Sequence, residues 1–301
     1  MRILVTDGMD RSAMEALRAG GHEVVEQFYE SDVLGEALRD FDAVVVRSKT
    51  KVRAAHIEKA KGSRLKLIIR GGVGVDNIDV KCAEEAGITV KNTPKASSES
   101  VAELAMAHMF ACSRYVSIAG HTMREGKWEK KAYGKGVELF GKTLGIIGFG
   151  RIGQRLGAMA KAMGMTVLAY DIFHVDGIEE EMGIRYVELD ELFAEADFIS
   201  LHTPAIDGKP LICAETIAKM KDGVIFVNTS RGNNVEEAAL LDALNSGKIR
   251  GAGLDVFAEE PSANTELYSH PNVSCTPHIG AATVEAQKRI GQEILDIINK
   301  F

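Results

Sequence analysis

Three side chains able to grip a carboxylate and move a proton stand just past short apolar runs. They are Arg231 in Asn228-Thr229-Ser230-Arg231-Gly232, Glu260 in Gly253-Leu254-Asp255-Val256-Phe257-Ala258-Glu259-Glu260-Pro261, and His278 in Thr276-Pro277-His278-Ile279-Gly280. A guanidinium fork binds a carboxylate through two parallel hydrogen bonds. A carboxylate hydrogen-bonded to an imidazole stabilises the protonated ring and fixes its tautomer, so the ring can both give and take a proton. Such a set suits hydride transfer at C2 of a hydroxy acid, which needs a cationic clamp for the carboxylate and an acid/base for the C2 oxygen. Each residue alone reads more readily as a salt bridge or a solvated loop residue than as catalytic; the combination carries the chemistry.

A hydride needs a carrier, and the sequence offers a place for one. The run Leu144-Gly145-Ile146-Ile147 leads straight into Gly148-Phe149-Gly150-Arg151-Ile152-Gly153 and then into a helical pattern over 154–163. In this GxGxxG arrangement Gly148 permits a tight turn, Gly150 lets the backbone approach a pyrophosphate, and Gly153 allows the helix to pack close to the strand. The helix N-terminus adds free N–H groups and a partial positive charge. The next apolar run ends in Ala169-Tyr170-Asp171, 18 residues beyond Gly153. A carboxylate there accepts from the adenosine ribose hydroxyls and repels a 2′-phosphate, which favours NAD over NADP. Arg151 is expected to lie along the pyrophosphate.

The elements that must position these residues alternate between short apolar runs and helical patterns, the signature of parallel sheets covered by helices. A first series has strands at 3–6, 23–27, 43–47, 67–70 and 89–91, with helices at 11–19, 31–38, 54–60 and 80–86. After Asn92-Thr93-Pro94 a single long helix is expected over 98–125, opened by serines suited to capping. A second series predicts six strands, at 143–147, 166–170, 198–201, 224–228, 251–255 and 273–275, and an amphipathic helix over 281–301 closes the chain. The expected class is α/β with two doubly wound parallel sheets.

Composition narrows the partners. With 301 residues, 46% hydrophobic, the chain can bury two domain-sized cores. A net charge of −7 without any Lys/Arg cluster argues against nucleic acid or an anionic membrane. No apolar stretch is long enough to span a bilayer, and strand-like residues from Met1 onward leave no room for a signal peptide, so a cytoplasmic protein is expected. Cys82, Cys112, Cys213 and Cys275 are too scattered for a zinc or redox motif and are read as reduced thiols; no metal is expected. His22, His56, His108, His121, His174 and His270 fit no catalytic pattern and read as surface or packing residues.

The segments 148–153, 202–204 (His202-Thr203-Pro204), 228–232, 253–261 and 276–280, in this order and spacing, resemble the D-isomer-specific 2-hydroxyacid dehydrogenase family along the whole chain. The resemblance implies that Arg231 binds the substrate carboxylate and orients the carbonyl, that Glu260 and His278 form the proton relay, and that Asp255 lies near the nicotinamide carboxamide. It extends the cofactor contacts to Gly148, Gly150, Arg151, Ile152, Gly153, Asp171, His202, Thr203, Pro204, Thr229, Ser230, His278 and Gly280. It also implies a Rossmann NAD-binding domain, residues 98–281, inserted into a flavodoxin-like substrate-binding domain, residues 1–97 and 282–301. The helix after Ser98 and the loop through Trp128 resemble the segments by which members dimerise, so a homodimer is expected.

Within that family, Val46-Arg47-Ser48-Lys49-Thr50-Lys51-Val52 and Ile69-Arg70-Gly71-Gly72-Val73-Gly74-Val75-Asp76-Asn77-Ile78-Asp79 are most similar to the phosphoglycerate dehydrogenases. Arg47 and Arg70 each end a strand, and two guanidinium groups beside Lys49 would seat a dianionic phosphate; Arg47 or Arg70 could instead pair with acidic groups of their own domain. The expected substrate contacts are Arg47, Ser48, Arg70, Gly71, Gly72, Val73, Arg231 and His278, with Lys49 and Lys51 undecided. The resemblance thus implies oxidation of D-3-phosphoglycerate. The alternatives are a hydroxypyruvate or glyoxylate reductase and, in another class, an NAD-sensing corepressor-like binding protein. Val73 departs from the threonine common in these enzymes, and 205–210 lacks their threonine-rich stretch. Because the chain stops at Phe301, serine inhibition through a C-terminal regulatory domain is not expected.

Overall fold

The computed structural model describes residues 1–206 and 208–301; position 207, inside the divergent segment 205–210, lies outside the described residues. In chain order the elements run β1 (Arg2–Val5), α1 (Arg11–Ala19), β2 (Glu23–Glu26), α2 (Ser31–Ala37), β3 (Ala43–Val46), α3 (Ala54–Ala60), β4 (Leu67–Arg70), α4 (Val80–Glu85) and β5 (Thr89–Asn92). There follow α5 (Ser98–Arg114), α6 (Val116–Arg124), β6 (Thr143–Ile147), α7 (Arg151–Ala162), β7 (Thr166–Tyr170), α8 (Ile178–Met182), β8 (Arg185–Tyr186), α9 (Leu189–Glu195) and β9 (Phe198–Leu201). The remainder is α10 (Ala214–Lys219), β10 (Val224–Asn228), α11 (Glu237–Ser246), β11 (Ile249–Leu254), α12 (Thr265–Tyr268), β12 (Val273–Cys275) and α13 (Val284–Lys300). They fall into two units, Met1–Ser98 with Ala281–Phe301, and Glu99–Gly280.

The first unit carries a parallel five-stranded sheet in the order β2-β1-β3-β4-β5. That is the flavodoxin-like doubly wound arrangement. Strands β3 and β4 are nearly unbroken apolar runs because a parallel sheet is covered on both faces. One face packs Leu34, Leu38, Ile57 and Ala83 from α2 to α4, with Leu38 just beyond α2, against Leu4, Val44 and Ile68. The other packs Leu17 of α1 and Ile290, Ile294 and Ile298 of α13 against Ile3, Val5 and Ile69. The closing amphipathic helix therefore belongs to this unit.

The second unit carries a parallel seven-stranded sheet, β12-β11-β10-β9-β6-β7-β8. Read from β8, it is the dinucleotide-binding order extended by β12 at the far edge. Six strands were expected; the seventh, β8, is two residues long and gives no apolar run to detect. The expected long helix over 98–125 is also two helices. Tyr115 takes a left-handed conformation, φ 57°, and breaks the chain between α5 and α6. Nothing in the residue type announces that break, since left-handed backbone ordinarily falls to Gly or Asn. Among the described residues, no helix is long and apolar enough to cross a membrane.

Candidate active site

The reversal of strand order in the second unit falls between β6 and β9, where ligands of this fold lie beyond the carboxyl ends of the strands. The loop after β6 is the glycine loop, and its three glycines prove to have different physical reasons. Gly148 has φ 93°, and a Cβ on it would stand 2.7 Å from the His202 carbonyl carbon. A Cβ on Gly153 would overlap the Gly148 carbonyl oxygen, so α7 can approach β6 only with glycine there. A Cβ on Gly150 would meet no protein atom within 4 Å. That open space lies at the N-cap of the 12-residue α7, whose first amides have no side-chain cap. Arg151 is exposed there and Ile152 half-buried. The loop thus fits the diphosphate of a dinucleotide, with α7 supplying donors and dipole.

Asp171, just after β7, accepts from the amides of Phe149 at 2.7 Å and Phe173 at 3.0 Å. It ties the glycine loop to the end of β7. A carboxylate has about four lone-pair sites, so two amide bonds leave acceptors for ribose hydroxyls.

After β9 come His202, Thr203 and Pro204. The His202 amide donates to the Ile147 carbonyl at 2.7 Å, and its Nε2 lies 2.8 Å from Ser200 Oγ. Its Nδ1 is buried without a hydrogen-bond partner among the described residues. Although part of the residue reaches solvent, burial of the ring pushes its pKa down to about 4, so it is neutral at pH 7. The fully buried Asn234 holds this loop: its Nδ2 donates to Thr203 Oγ1 at 3.0 Å and to the Pro204 carbonyl at 2.8 Å, while its Oδ1 accepts from the Ile206 amide at 2.9 Å.

Beyond β10, Asn228 Oδ1 accepts from the Ser230 amide and hydroxyl, at 3.0 and 2.8 Å, and its Nδ2 donates to the Arg231 carbonyl at 2.9 Å. These bonds shape the turn that presents Arg231. Thr229 Oγ1 is buried there without a hydrogen-bond partner among the described residues. Gly232 abuts the backbone of the next loop so closely that a Cβ would overlap the Phe257 carbonyl. The Phe257 amide in turn donates to Glu260 Oε1 at 3.2 Å, and Glu260 Oε2 lies 2.7 Å from His278 Nδ1. Burial raises the Glu260 pKa, but the His278 hydrogen bond and charge, the Phe257 amide and the nearby Arg231 charge prevail and leave it below the ordinary value. Glu260 is therefore a carboxylate at neutral pH, and it accepts. His278 Nδ1 carries the proton of that bond and Nε2 is left to act. About a third of each side chain stays exposed (35% for His278, 38% for Glu260).

His278 itself has φ 54°, a strained value for a non-glycine residue. Its amide donates to the Asp255 carbonyl at 2.8 Å. The buried Asp255 carboxylate accepts from Thr276 Oγ1 at 2.6 Å and from the Ile279 and Gly280 amides, both at 2.8 Å. Asp255, expected beside a nicotinamide, is thus the post on which the histidine loop is built. The second unit brings Arg231, Glu260 and His278 together through contiguous backbone contacts.

Arg47 and Arg70 form a separate cluster in the first unit, at the ends of the neighbouring strands β3 and β4. Asp7 accepts from the Arg47 amide at 2.7 Å and from Thr50 through its amide and hydroxyl. Asn77 Nδ2 donates to the Arg47 and Thr50 carbonyls, each at 2.7 Å. The turn carrying Ser48 is therefore rigid and exposes that hydroxyl. Arg70 Nη1 donates to the Gly71 carbonyl at 3.3 Å, and its guanidinium fills the space a Cβ on Gly72 would need. Val73 is 39% exposed. Lys49 lies over the Phe28 ring, Nζ 3.8 Å from its centroid, and Lys51 is exposed.

Sequence reasoning passed over Asp7, Asn77 and Asn234, the residues that hold these turns. Asn77 and Asn234 stood within or beside the quoted motifs, but nothing in their residue types marked them, because the carbonyls and amides they hold come from distant segments.

A sequence profile described as the NAD-binding domain of D-isomer specific 2-hydroxyacid dehydrogenases matches residues 106–280. A hydroxypyruvate reductase of Thermotoga maritima is 50% identical over 99% of this chain and 97% of its own. A D-3-phosphoglycerate dehydrogenase of Methanocaldococcus jannaschii is 46% identical over 100% of this chain, which spans only 57% of that protein. Among solved structures, a glyoxylate reductase from Paecilomyes thermophila superposes with a TM-score of 0.89 at 32% identity, over 99% of this chain and 94% of its own. The matched profile includes Arg231, Glu260 and His278.

Proposed function

The chain belongs to the D-isomer-specific 2-hydroxyacid dehydrogenases, and from that premise we propose that it oxidises D-3-phosphoglycerate at C2 to 3-phosphohydroxypyruvate, the reaction that opens serine synthesis. The observation that carries the chemistry is the 2.7 Å bond between Glu260 and His278 Nδ1. Bound NAD would supply the hydride acceptor, and the glycine loop with Arg151 and Ile152, Asp171, His202 to Pro204, Thr229, Ser230, Asp255 and Gly280 would hold it. His278 Nε2 takes the hydroxyl proton as the C2 hydrogen leaves as hydride, and the C2–O bond becomes a carbonyl. Glu260 stabilises the imidazolium so formed. Arg231 binds the carboxylate and holds C2 in a fixed orientation. In the reverse direction the same imidazolium returns the proton.

The substrate reading rests on the first unit. Arg47 and Arg70, supported by Ser48 and the backbone of Gly71, Gly72 and Val73, are the proposed ligands of the phosphate. Two guanidinium-bearing side chains at the ends of neighbouring strands would complement a dianion, which an unphosphorylated acid does not present. A second reading, reduction of hydroxypyruvate, is favoured by the relative from Thermotoga maritima that matches along nearly its full length. We further propose a homodimer through the second unit, where Val116, Met123, Trp128 and Phe140 are exposed.

Turnover with NAD or NADH on a panel of 2-hydroxy and 2-oxo acids is the test. The proposal expects D-3-phosphoglycerate to give the highest kcat/KM, and Arg47→Gln with Arg70→Gln to raise its KM on the order of 10²-fold. Highest activity on hydroxypyruvate, unharmed by those substitutions, would establish the second reading. Negligible turnover on every acid, with NADH still bound, would point to a binding protein.

A further inference from the structure

His108, on α5, belongs to none of the motifs and is 3% exposed. Its Nδ1 lies 3.0 Å from Ser274 Oγ and its Nε2 3.1 Å from Thr276 Oγ1. The directions of these bonds follow from counting protons. Thr276 has one hydroxyl proton, and at 2.6 Å from the Asp255 carboxylate, which only accepts, that proton is committed. The contact between Thr276 and His108 must therefore be Nε2–H donating to Oγ1. In a neutral ring Nδ1 is then the acceptor, and it takes the Ser274 hydroxyl proton. Burial, opposed only by the Asp255 charge, pushes the His108 pKa down and keeps the ring neutral.

A one-way chain results, from Ser274 through His108 and Thr276 to Asp255. Asp255 is the residue that holds the Ile279 and Gly280 amides and, by its carbonyl, the amide of His278 in its left-handed conformation. The sheet is shaped around the ring as well: a Cβ on Gly253 of β11 would stand 2.5 Å from the His108 Cβ. A side chain that rests beneath the catalytic loop, hydrogen-bonded at both nitrogens, fixes that loop in one register.

We propose that His108 is a positioning residue of the proton relay, holding the His278 loop in place through Thr276 and Asp255. The proposal rests on the reading of His278 as the acid/base, and the experiment separates the two. Four variants are compared with the wild-type chain: His108→Leu, His108→Gln, Thr276→Val and His278→Gln. Readouts are kcat, the KM for NAD and quenching of tryptophan fluorescence by NADH.

His108→Leu is expected to lower kcat about 10- to 100-fold, the scale of a small misplacement of a reacting group, while leaving NAD binding within about twofold. His108→Gln keeps a donor where Nε2 stood, and its kcat should return to within about threefold of wild type. Thr276→Val, which breaks the chain one link later and scarcely changes volume, should lose kcat as His108→Leu does, and it serves if the leucine variant does not fold. A wild-type kcat in both His108→Leu and Thr276→Val, or a glutamine variant as slow as the leucine one, would overturn the proposal while the loss of activity in His278→Gln upheld the relay. An active His278→Gln would instead overturn the relay and the proposal with it.

Discussion

At 2.7 Å, the bond from His278 Nδ1 to Glu260 is of the charge-assisted kind, and in the proposed reaction its worth lies in the imidazolium it would stabilise as a proton is taken up. Glu260→Gln keeps an acceptor oxygen but removes the charge. Its kcat should fall on the order of 10²-fold with little change in NADH affinity, as steady-state rates and a fluorescence titration would show. An unchanged kcat would mean that the carboxylate is structural. The second residue-scale consequence concerns His202. A folded pKa near 4, against an ordinary value of 6.5, means that the unfolded chain binds the proton first as pH falls. The sign is therefore that stability is full above about pH 6.5 and declines toward pH 4, by on the order of 3 kcal/mol from this one group. His108 and His270, whose pKa values burial also lowers, add to the same slope. In His202→Gln the urea midpoint should drop less between pH 7 and pH 5 than in the wild type; an identical drop would refute the assignment.

Elements position these groups, and the glycine loop shows how far that was written in the sequence. GxGxxG with a preceding apolar run located the turn and the steric demands on Gly148 and Gly153, with the helix opening at Arg151, three residues earlier than expected; Gly150 meets no protein atom, and its place beside a pyrophosphate is part of the proposed reading. Those jobs now separate into a testable pair. Gly150→Ala meets no protein atom, so its melting temperature should stay within about 2 °C while NADH affinity falls roughly tenfold or more. Gly153→Ala drives a methyl into the Gly148 carbonyl and should cost on the order of 1–3 kcal/mol of stability before any cofactor is added. Equal melting temperatures for the two variants would show that the packing argument fails. The apolar strands were legible for the same local reason, their residues being buried on both faces of parallel sheets. What stayed hidden was set by distant partners or by very short elements. Tyr115 breaks the helix from a left-handed conformation that its side chain does not favour, and Arg250 Nη2 meets its hydroxyl from 135 residues away at 3.1 Å. Two-residue β8 has no periodicity. Asp7 and Asn234 are ordinary polar residues until the fold delivers the amides and carbonyls they hold.

On the scale of the whole molecule, chain order and unit membership disagree: the last helix returns to the first unit, while 99–280 is one continuous stretch. Helix α13 starts where Thr283 Oγ1 accepts from the Ala286 amide, and it buries Ile290, Ile294 and Ile298 on one stripe against Ile3, Val5 and Ile69. Gly291 lets it come so close to α1 that a Cβ there would stand 2.7 Å from the Ala13 Cβ. Burying three isoleucines is worth roughly 5–9 kcal/mol, which approaches the whole stability of an ordinary domain. A chain ended at Ala281 should therefore lose the first unit. The second unit has its own cores, around Leu240, Phe226 and Leu201 on one face of its sheet and Leu144, Ile146 and Phe198 on the other, and none of their members comes from α13. The truncated chain should accordingly keep NADH binding within about threefold and retain a cooperative melting transition, while limited proteolysis degrades residues 1–98 and leaves a fragment close to 99–280. On the proposed reading turnover on D-3-phosphoglycerate should also be lost, because Arg47 and Arg70, the proposed phosphate ligands, go with the first unit. If NADH binding disappeared together with the first unit, the cofactor unit would owe its fold to the helix that α13 provides, and the independence argued from the two pairs of cores would be wrong.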